Sequence, residues 1–533
     1  MAALIRDTPF GQLVRCLSRN SSFLYPDEID SRLRSKFLHS DTRSDNDQPP
    51  RQPEKDSHAT ESNDPHVFLV GWYDADDPEN PQNWPQSLKF LTALQINLLN
   101  FAIYIASSIY VPGEPDITHD FHVSRTVATL GLSLYTIGYG LGPMLWSPLS
   151  EVPQVGRRDI YFWTLLVYIL LQVPTGFAVD VGMLLVFRVL TGFFGSPALA
   201  TGGGTIADLY DPARSAYGLV LLGFFGVLGP VFGPIVGGFV APAKGWRWEI
   251  WVVTWLASAV LIMLFFLLPE TSAANILHRR AKRIRRATGH ERFRSQSEID
   301  TAHYAWRDHA NVLGTAFSLT FSEPILFFLD LYTALLYGVL FTWFESFPLV
   351  FGDIYHFSSG AQGLAFLGIF VGGIITLPCF LLWIKHGLIP RFTSPTFKPE
   401  TVLLPTFFGA ATLPLSLFWY GWTARENIPW IVPIIGSAFF TVSIITLFFP
   451  VLNYLGMAYP HHVASVFAGN ALFRATFGAS FPLFARQLFE KLGIGGGNSL
   501  LGGISVGFMV LPFVFYRHGS RLRQMSRRAK HDE

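Results

Sequence analysis

From Leu88 onward the chain alternates long apolar runs with short polar breaks. Each run approaches the roughly 20 residues that a helix needs to cross a bilayer. The pattern predicts spanning helices over 88–111, 127–149, 159–178, 181–206, 217–240 and 249–268, and then over 325–349, 361–384, 402–421, 429–454, 463–487 and 499–516. Gly and Pro recur inside these runs, as expected where neighbouring helices and internal cavities satisfy the backbone. The expectation is an all-α integral membrane protein with twelve transmembrane helices in two six-helix bundles, 88–268 and 325–516. A cytoplasmic central loop, 269–324, joins them. In a transporter built from two related halves, the substrate sits between them near the midplane.

The residues outside the bundles differ in kind. Residues 1–87 are polar, charged and Pro-rich, and the stretch from Ser40 to Asp64 has almost no apolar residue. Too little burial is available there to offset the ordering entropy, so the segment is expected to be a disordered N-terminal tail. Residues around Leu13–Leu17 are either part of that tail or lie on a membrane surface. Arg6, Asp7 and Pro9 interrupt the opening residues and argue against a cleavable signal peptide.

Composition strengthens the membrane assignment. Half the residues are hydrophobic and only 14% are charged, against about 25% in soluble domains. The net charge of +1 offers no basic field for nucleic acid. Cys16 and Cys379 stand far apart, so neither a disulfide framework nor a metal site is expected. No base–nucleophile constellation emerges, and the chain reads as a non-enzyme without a cofactor or an obligate protein partner.

Charge placement then gives orientation. The central interval carries Arg279, Arg280, Lys282, Arg283, Arg285 and Arg286 in one run. Arg157 and Arg158, Arg214, the Lys385–Lys398 loop and the 517–533 tail all fall on that same side if twelve spans are counted. Basic residues close to helix ends stay in the cytoplasm, which puts both termini there. His461 and His462 then lie in a cytoplasmic turn, and a sequon at Asn20 would stay unglycosylated.

Three blocks stand out. Gly142–Glu151 leads to Gly156-Arg157-Arg158, where Glu151 and the arginines are placed to form a charge cluster that latches one conformation. The fourth predicted span runs from Arg188 through Gly202-Gly203-Gly204 to Asp208. Arg188 is either a central charge, costly in a spanning helix, or an interfacial one that snorkels. The glycine triplet lies in an apolar helix with no following Lys, so it reads as packing and not as a phosphate cradle. The fifth span holds Gly229, Pro230, Gly233, Pro234, Gly237 and Gly238. Glycines four apart make a flat stripe and the prolines bend the helix, which suits a hinge or a tight contact between the halves.

Together these blocks resemble the major facilitator superfamily: its first signature after the second span, its second in the fourth span, and its antiporter signature in the fifth. Asp77-Pro-Glu-Asn-Pro-Gln-Asn-Trp84, Ser147-Pro-Leu-Ser-Glu151 and Leu268-Pro-Glu-Thr271 sharpen this to the fungal twelve-span drug:proton antiporters. Members of that group export azoles, cycloheximide-like compounds, polyamines or secondary metabolites. The chain departs from the wider family in carrying Ser147 near the place of an Asp, with Glu151 as the nearby acid. It also lacks the second Gly-Arg-Arg block and the Pro-Glu-Ser-Pro-Arg block of sugar porters.

The resemblance implies a secondary active transporter that exports hydrophobic or amphipathic molecules in exchange for protons. An uptake facilitator or polyamine carrier is the alternative, and a sensor that does not transport is less favoured. It points to Arg188 and Asp208 for coupling. Glu345 is a further candidate, to carry the proton or to meet a cationic substrate. Asn97, Asn100 and Tyr104 share one face of the first span. With Tyr337 and Trp343 of the seventh and the i, i+4 pair Asn470 and Arg474 of the eleventh, they are the candidates for the substrate cavity, where apolar walls with few polar anchors suit a drug-like ligand. The plasma membrane is the expected location, with the vacuole behind it.

Overall fold

A computed structural model of the protein describes residues 5–19, 21–30, 32–33, 68–301, 318, 320–392, 397–460, 463–526 and 528–529. Asn20, His461, His462 and the Ser40–Asp64 stretch lie outside the described residues.

The first half is built from α2 (Gln86–Ser108), the short α3 (Glu114–Asp120), α4 (Arg125–Glu151), α5 (Arg157–Gly176), α6 (Val181–Gly195) with its continuation α7 (Pro197–Leu209), α8 (Pro212–Lys244) and α9 (Arg247–Leu267); α1 (Pro9–Leu17) precedes them. Polar caps set several starts: Ser124 accepts from the Val127 amide, Asp180 from Met183 and Asp211 from Arg214. Such caps satisfy amide groups that the first helical turn leaves unpaired. The α6/α7 junction falls at Ser196-Pro197, where proline lacks the amide that would continue the helix.

After α10 (Ala273–Thr288), the second half comprises α11 (Pro324–Phe347), α12 (Ser359–Ala365), α13 (Leu367–Trp383), α14 (Leu404–Thr423), α15 (Ile431–Ser443), α16 (Phe449–Ala458), α17 (Val463–Phe508) and α18 (Val510–Met525). Among the described residues, nine helical stretches are long and apolar enough to cross a membrane. The predicted segments 127–149 and 159–178 coincide with α4 and α5, which are full-length but not among those nine. The last stretch, Ser465–Met525, is two legs joined at Gly493, whose φ of 72° interrupts the helix. That left-handed backbone is one that glycine adopts without steric cost.

Close packing follows the glycines. A side chain at Gly192 would run into the Tyr135 carbonyl, and one at Gly138 into that of Val189, so α4 and α6 meet backbone to backbone. The two halves touch where α4 lies along α17 and where α8 lies along α12. The Ser133 hydroxyl donates to the Ala479 carbonyl at 2.6 Å across the first of these contacts.

The segments expected to be tail and loop are partly ordered, and they fold onto each other. Phe10 of α1 packs against Phe265 and Phe266 at the end of α9, with centroids 5.9 and 5.1 Å away. Leu13 and Leu17 of the same helix remain exposed. Strands β1 (Phe68–Val70) and β2 (Phe293–Ser295) pair in parallel beside α10. The basic run of α10 meets acids from the N-terminal segment: Arg280 reaches Asp77 at 2.8 Å and Glu79 at 3.0 Å, and Arg283 reaches Asp27 at 3.0 Å. Burial works to raise the Asp77 carboxyl, but its bonds to Arg280 and to backbone amides outweigh that and hold it below its ordinary range. Composition read one segment at a time misses this complementarity, because the acids and bases are some 200 residues apart. The result is a charged cap on one end of the bundle.

Candidate transport site and gates

A cavity lies between the halves, with about 790 Å³ of unoccupied space, its mouth included. Its walls come from α2, α7, the first turns of α8, α11, α16 and α17. Asn100, Tyr104, Tyr337, Asn470 and Arg474 all line it, as the sequence suggested. Asn97 and Trp343 do not. Asn97 is buried beside α2's other neighbours, and the Trp343 indole donates to Asn498 at 3.4 Å inside the core of the second half.

The polar wall is a connected set. Tyr104 and Tyr337 share a hydroxyl–hydroxyl bond of 3.1 Å across the halves, and the Asn100 amide donates to the Leu222 carbonyl at 3.0 Å. Arg474 Nε donates to Asn470 Oδ1 at 2.9 Å, and Asn470 Nδ2 donates to Asp330 Oδ1 at 2.8 Å. Asn453, Phe448 and Phe449 complete the wall and were not anticipated. Their one signal was an Asn four residues after a Phe pair in an otherwise apolar run.

The cavity lies toward the capped end, and the opposite end is shut. There a side chain on Gly238 would strike the Ser359 carbonyl, and one on Gly363 would strike that of Pro234. Gly229, Gly233 and Gly237 instead face the backbone of α2 within their own half, at Tyr104, Ser108 and Ile109. The stripe thus divides its work: three glycines bind α8 to α2, while Gly238 and Pro234 meet the other half. At that same end Arg125 of α4 pairs with Glu345 of α11 at 3.5 Å, and Glu345 is almost wholly buried. Glu114 and Glu249 are two more buried carboxylates in the first half that sequence reasoning passed over. Thr129 donates to Glu114 at 3.0 Å. Both acids sit in short, mixed-polarity stretches near helix ends, where they look interfacial.

Arg188 is fully buried and does not snorkel. Its Nε and Nη1 donate to the Gly131 and Ala106 carbonyls at 2.9 and 3.0 Å, and its guanidinium lies 4.7 and 4.4 Å from the Tyr110 and Tyr135 ring centroids. It ties α6 to α2 and α4, outside the cavity.

At the capped end, Arg157 grips Asp208 at 2.6 and 3.3 Å. Arg158 bonds Asp159 and, at 2.7 Å, the Asp7 carbonyl. Glu151 is exposed and lies close enough to Arg157 for their charges to interact, but it makes no salt bridge among the described residues. Glu270 adds a second acid to this corner: its carboxylate accepts from the amides of Arg157, Arg158, Thr271 and Ser272 at 2.9–3.3 Å. A carboxylate across the first amides of a helix is favourable both as a cap and against the helix dipole. The sequence shows Glu270 only as part of a Pro-Glu-Thr block, with no sign of its reach to α5.

The profile of the Major Facilitator Superfamily matches residues 96–483. The chain belongs to the major facilitator superfamily. It is 42% identical over 472 residues to the "Fluconazole resistance protein 1" of Saccharomyces cerevisiae, covering 87% of this chain and 85% of that protein. It is 40% identical over 482 residues to the "Transporter mfs1" of Schizosaccharomyces pombe, covering 89% and 91%. Among solved structures it resembles the proton:xylose symporter XylE, with a TM-score of 0.57 at 16% identity over 81% of this chain and 96% of that one. As a superfamily member the protein is a multi-pass membrane transporter.

Proposed function

We propose that this superfamily member is a proton-driven exporter of hydrophobic or amphipathic small molecules that works by alternating access. The observation that carries the proposal is the aromatic and amide-lined cavity between the halves, accessible toward one end and shut at the other. The relative named for fluconazole resistance supports drug-like cargo. Twelve crossings with both termini cytoplasmic place the charged cap inside the cell, so the cavity faces the cytoplasm and takes up cargo there. Rocking of the halves then opens the Arg125–Glu345 and α8–α12 contacts. Arg188 and Asp208 are assigned to coupling and to the cytoplasmic latch, with Glu345 at the outer gate. The plasma membrane is the proposed location.

Inverted membrane vesicles given a pH gradient test this with a panel that includes fluconazole and cycloheximide. Accumulation that collapses when the gradient is dissipated is the expected result. Flux that merely equilibrates would replace the exporter with a facilitator, and binding without flux would replace it with a sensor.

A further inference from the structure

The cavity carries a single sign of charge. Among the described residues that line it and its narrower extension beside Tyr135 and Phe341, Arg474 is the one ionised side chain, and no Asp or Glu reaches the wall. Arg474 is 4% exposed and makes no ion pair among the described residues. Its charge is held by softer partners: Asn470 Oδ1 at 2.9 Å, the hydroxyls of Tyr104 and Tyr337, and the rings of Tyr337 and Phe448, each with its centroid 4.7 Å from the guanidinium carbon.

The acid of this network stands behind the wall. Asp330 is fully buried and takes the Asn470 amide at 2.8 Å, so Asn470 turns its oxygen to the arginine and its nitrogen to the aspartate. Thr333 Oγ1 takes the same amide at 2.8 Å. Asn470 is thereby locked in one orientation, and Arg474 is fixed at the wall with Asp330 shielded from the cavity. A guanidinium has five N–H donors; the Asn470 bond uses one, and the Tyr104 and Tyr337 hydroxyls, themselves part of the cavity wall, engage others. The rest suit an acceptor on a bound molecule.

We propose that Arg474 makes this cavity selective for neutral or anionic amphipathic molecules that place a hydrogen-bond acceptor beside an apolar body, and that it excludes organic cations, polyamines included. The proposal rests on the exporter reading above and narrows its cargo. Two like charges about 6 Å apart at an effective dielectric near 20 repel enough for discrimination on the order of 100-fold. An acceptor on the guanidinium gains a charge-assisted bond in its place.

Equilibrium binding to the purified full-length protein tests this without any gradient. The probes are fluconazole (neutral), fluorescein (anionic), tetraphenylphosphonium and spermidine (cationic). The wild type should bind fluconazole or fluorescein at least tenfold more tightly than either cation. Arg474→Gln should raise tetraphenylphosphonium affinity by tenfold or more and lower that of fluorescein. Arg474→Lys, which keeps the charge, should go on excluding cations. Equal or tighter cation binding by the wild type overturns the proposal, as does an unchanged ranking in Arg474→Gln or binding of neither fluconazole nor fluorescein. If Arg474→Gln fails to accumulate, the wild-type ranking and Arg474→Lys decide. The expected ranking without gradient-driven accumulation in vesicles would sink the exporter reading and leave this one standing. Gradient-driven tetraphenylphosphonium accumulation would do the reverse.

Discussion

Each half of the molecule buries an arginine, and the two are compensated in different ways. Arg188 of the first half is held by two backbone carbonyls and two tyrosine rings, away from the cavity. Arg474 of the second half leans on one side-chain amide, two hydroxyls and two rings, in the cavity wall. Carbonyls from two helices make Arg188 part of the framework that sets how α2, α4 and α6 meet. Arg474 is met by side chains alone, the Asn470 amide and the Tyr104 and Tyr337 hydroxyls, which can yield donors to a guest in the cavity. What compensates a buried charge, more than the charge itself, is the ground on which coupling is proposed for Arg188 and recognition for Arg474.

The largest effect that tests this contrast is at Arg188. Arg188→Ala is expected to abolish gradient-driven transport in vesicles while the protein still reaches the membrane. It removes the charge together with the two bonds that tie α6 to α2 and α4, and each lost bond to a charged group is worth about 1.5–3 kcal/mol. Arg188→Lys keeps the charge but not the fork that spans two helices, and should retain less than a tenth of the activity. Full transport by Arg188→Ala would remove the distinction drawn between the two arginines.

The latch proposed at the capped end comes next. Asp208→Asn leaves Arg157 without its carboxylate in a site where the pair is 13% and 19% exposed. The expected loss is about tenfold in transport rate, corresponding to about 1.4 kcal/mol. Transport assayed with and without a gradient separates a latch defect, which slows both, from a coupling defect, which slows only the driven mode.

Two glycines sharpen the same division between framework and cavity. At Gly233 an added methyl meets Ser108 and the Ile109 amide, so Gly233→Ala must push α8 off α2 and should cost about 1–3 kcal/mol of stability. At Gly203, in the cavity wall, the closest atom to an added methyl is Leu219 Cδ2 at 3.4 Å, an ordinary contact. Gly203→Ala should therefore accumulate normally and change only ligand affinity, by a few fold. Melting temperature of the purified variants and fluconazole binding read the two effects apart.

Much of this was legible in the sequence because lipid imposes a strict rule. Each spanning stretch must be apolar for about 20 residues, so the predicted runs fall close to the observed helices, as with 325–349 against Pro324–Phe347. The i, i+4 spacing of Asn470 and Arg474 and the shared face of Asn100 and Tyr104 follow from helical geometry alone. Partners chosen by tertiary contact leave no such period. Glu151, next to the arginines in sequence, proved exposed. Glu270, more than a hundred residues from Arg157, caps the start of its helix with no sign of it in the sequence. Asn97 has the helical phase of Tyr104 but sits nearer the start of α2 and does not line the wall.

The smallest predicted effect concerns the charged cap, which couples the N-terminal segment to α10. Asp77 has its carboxyl held below the ordinary value of 3.8, burial opposing and the Arg280 bonds prevailing. A lowered folded value means that the unfolded chain binds the proton first as pH falls. The stabilisation is therefore complete above pH 3.8 and is lost as pH drops through the folded value, below that mark. Over the neutral range Asp77 should contribute a constant amount. Asp77→Asn, which keeps the shape and removes the charge, should lower the melting temperature by about 1–3 °C at pH 7, the small shift expected when roughly 1–3 kcal/mol is lost from a chain this long. Between pH 7 and pH 5 the difference between variant and wild type should stay flat. A difference that shrinks across that interval would mean the Asp77–Arg280 pair titrates near neutrality, and the cap would then be a pH-responsive part of the transporter instead of a fixed brace.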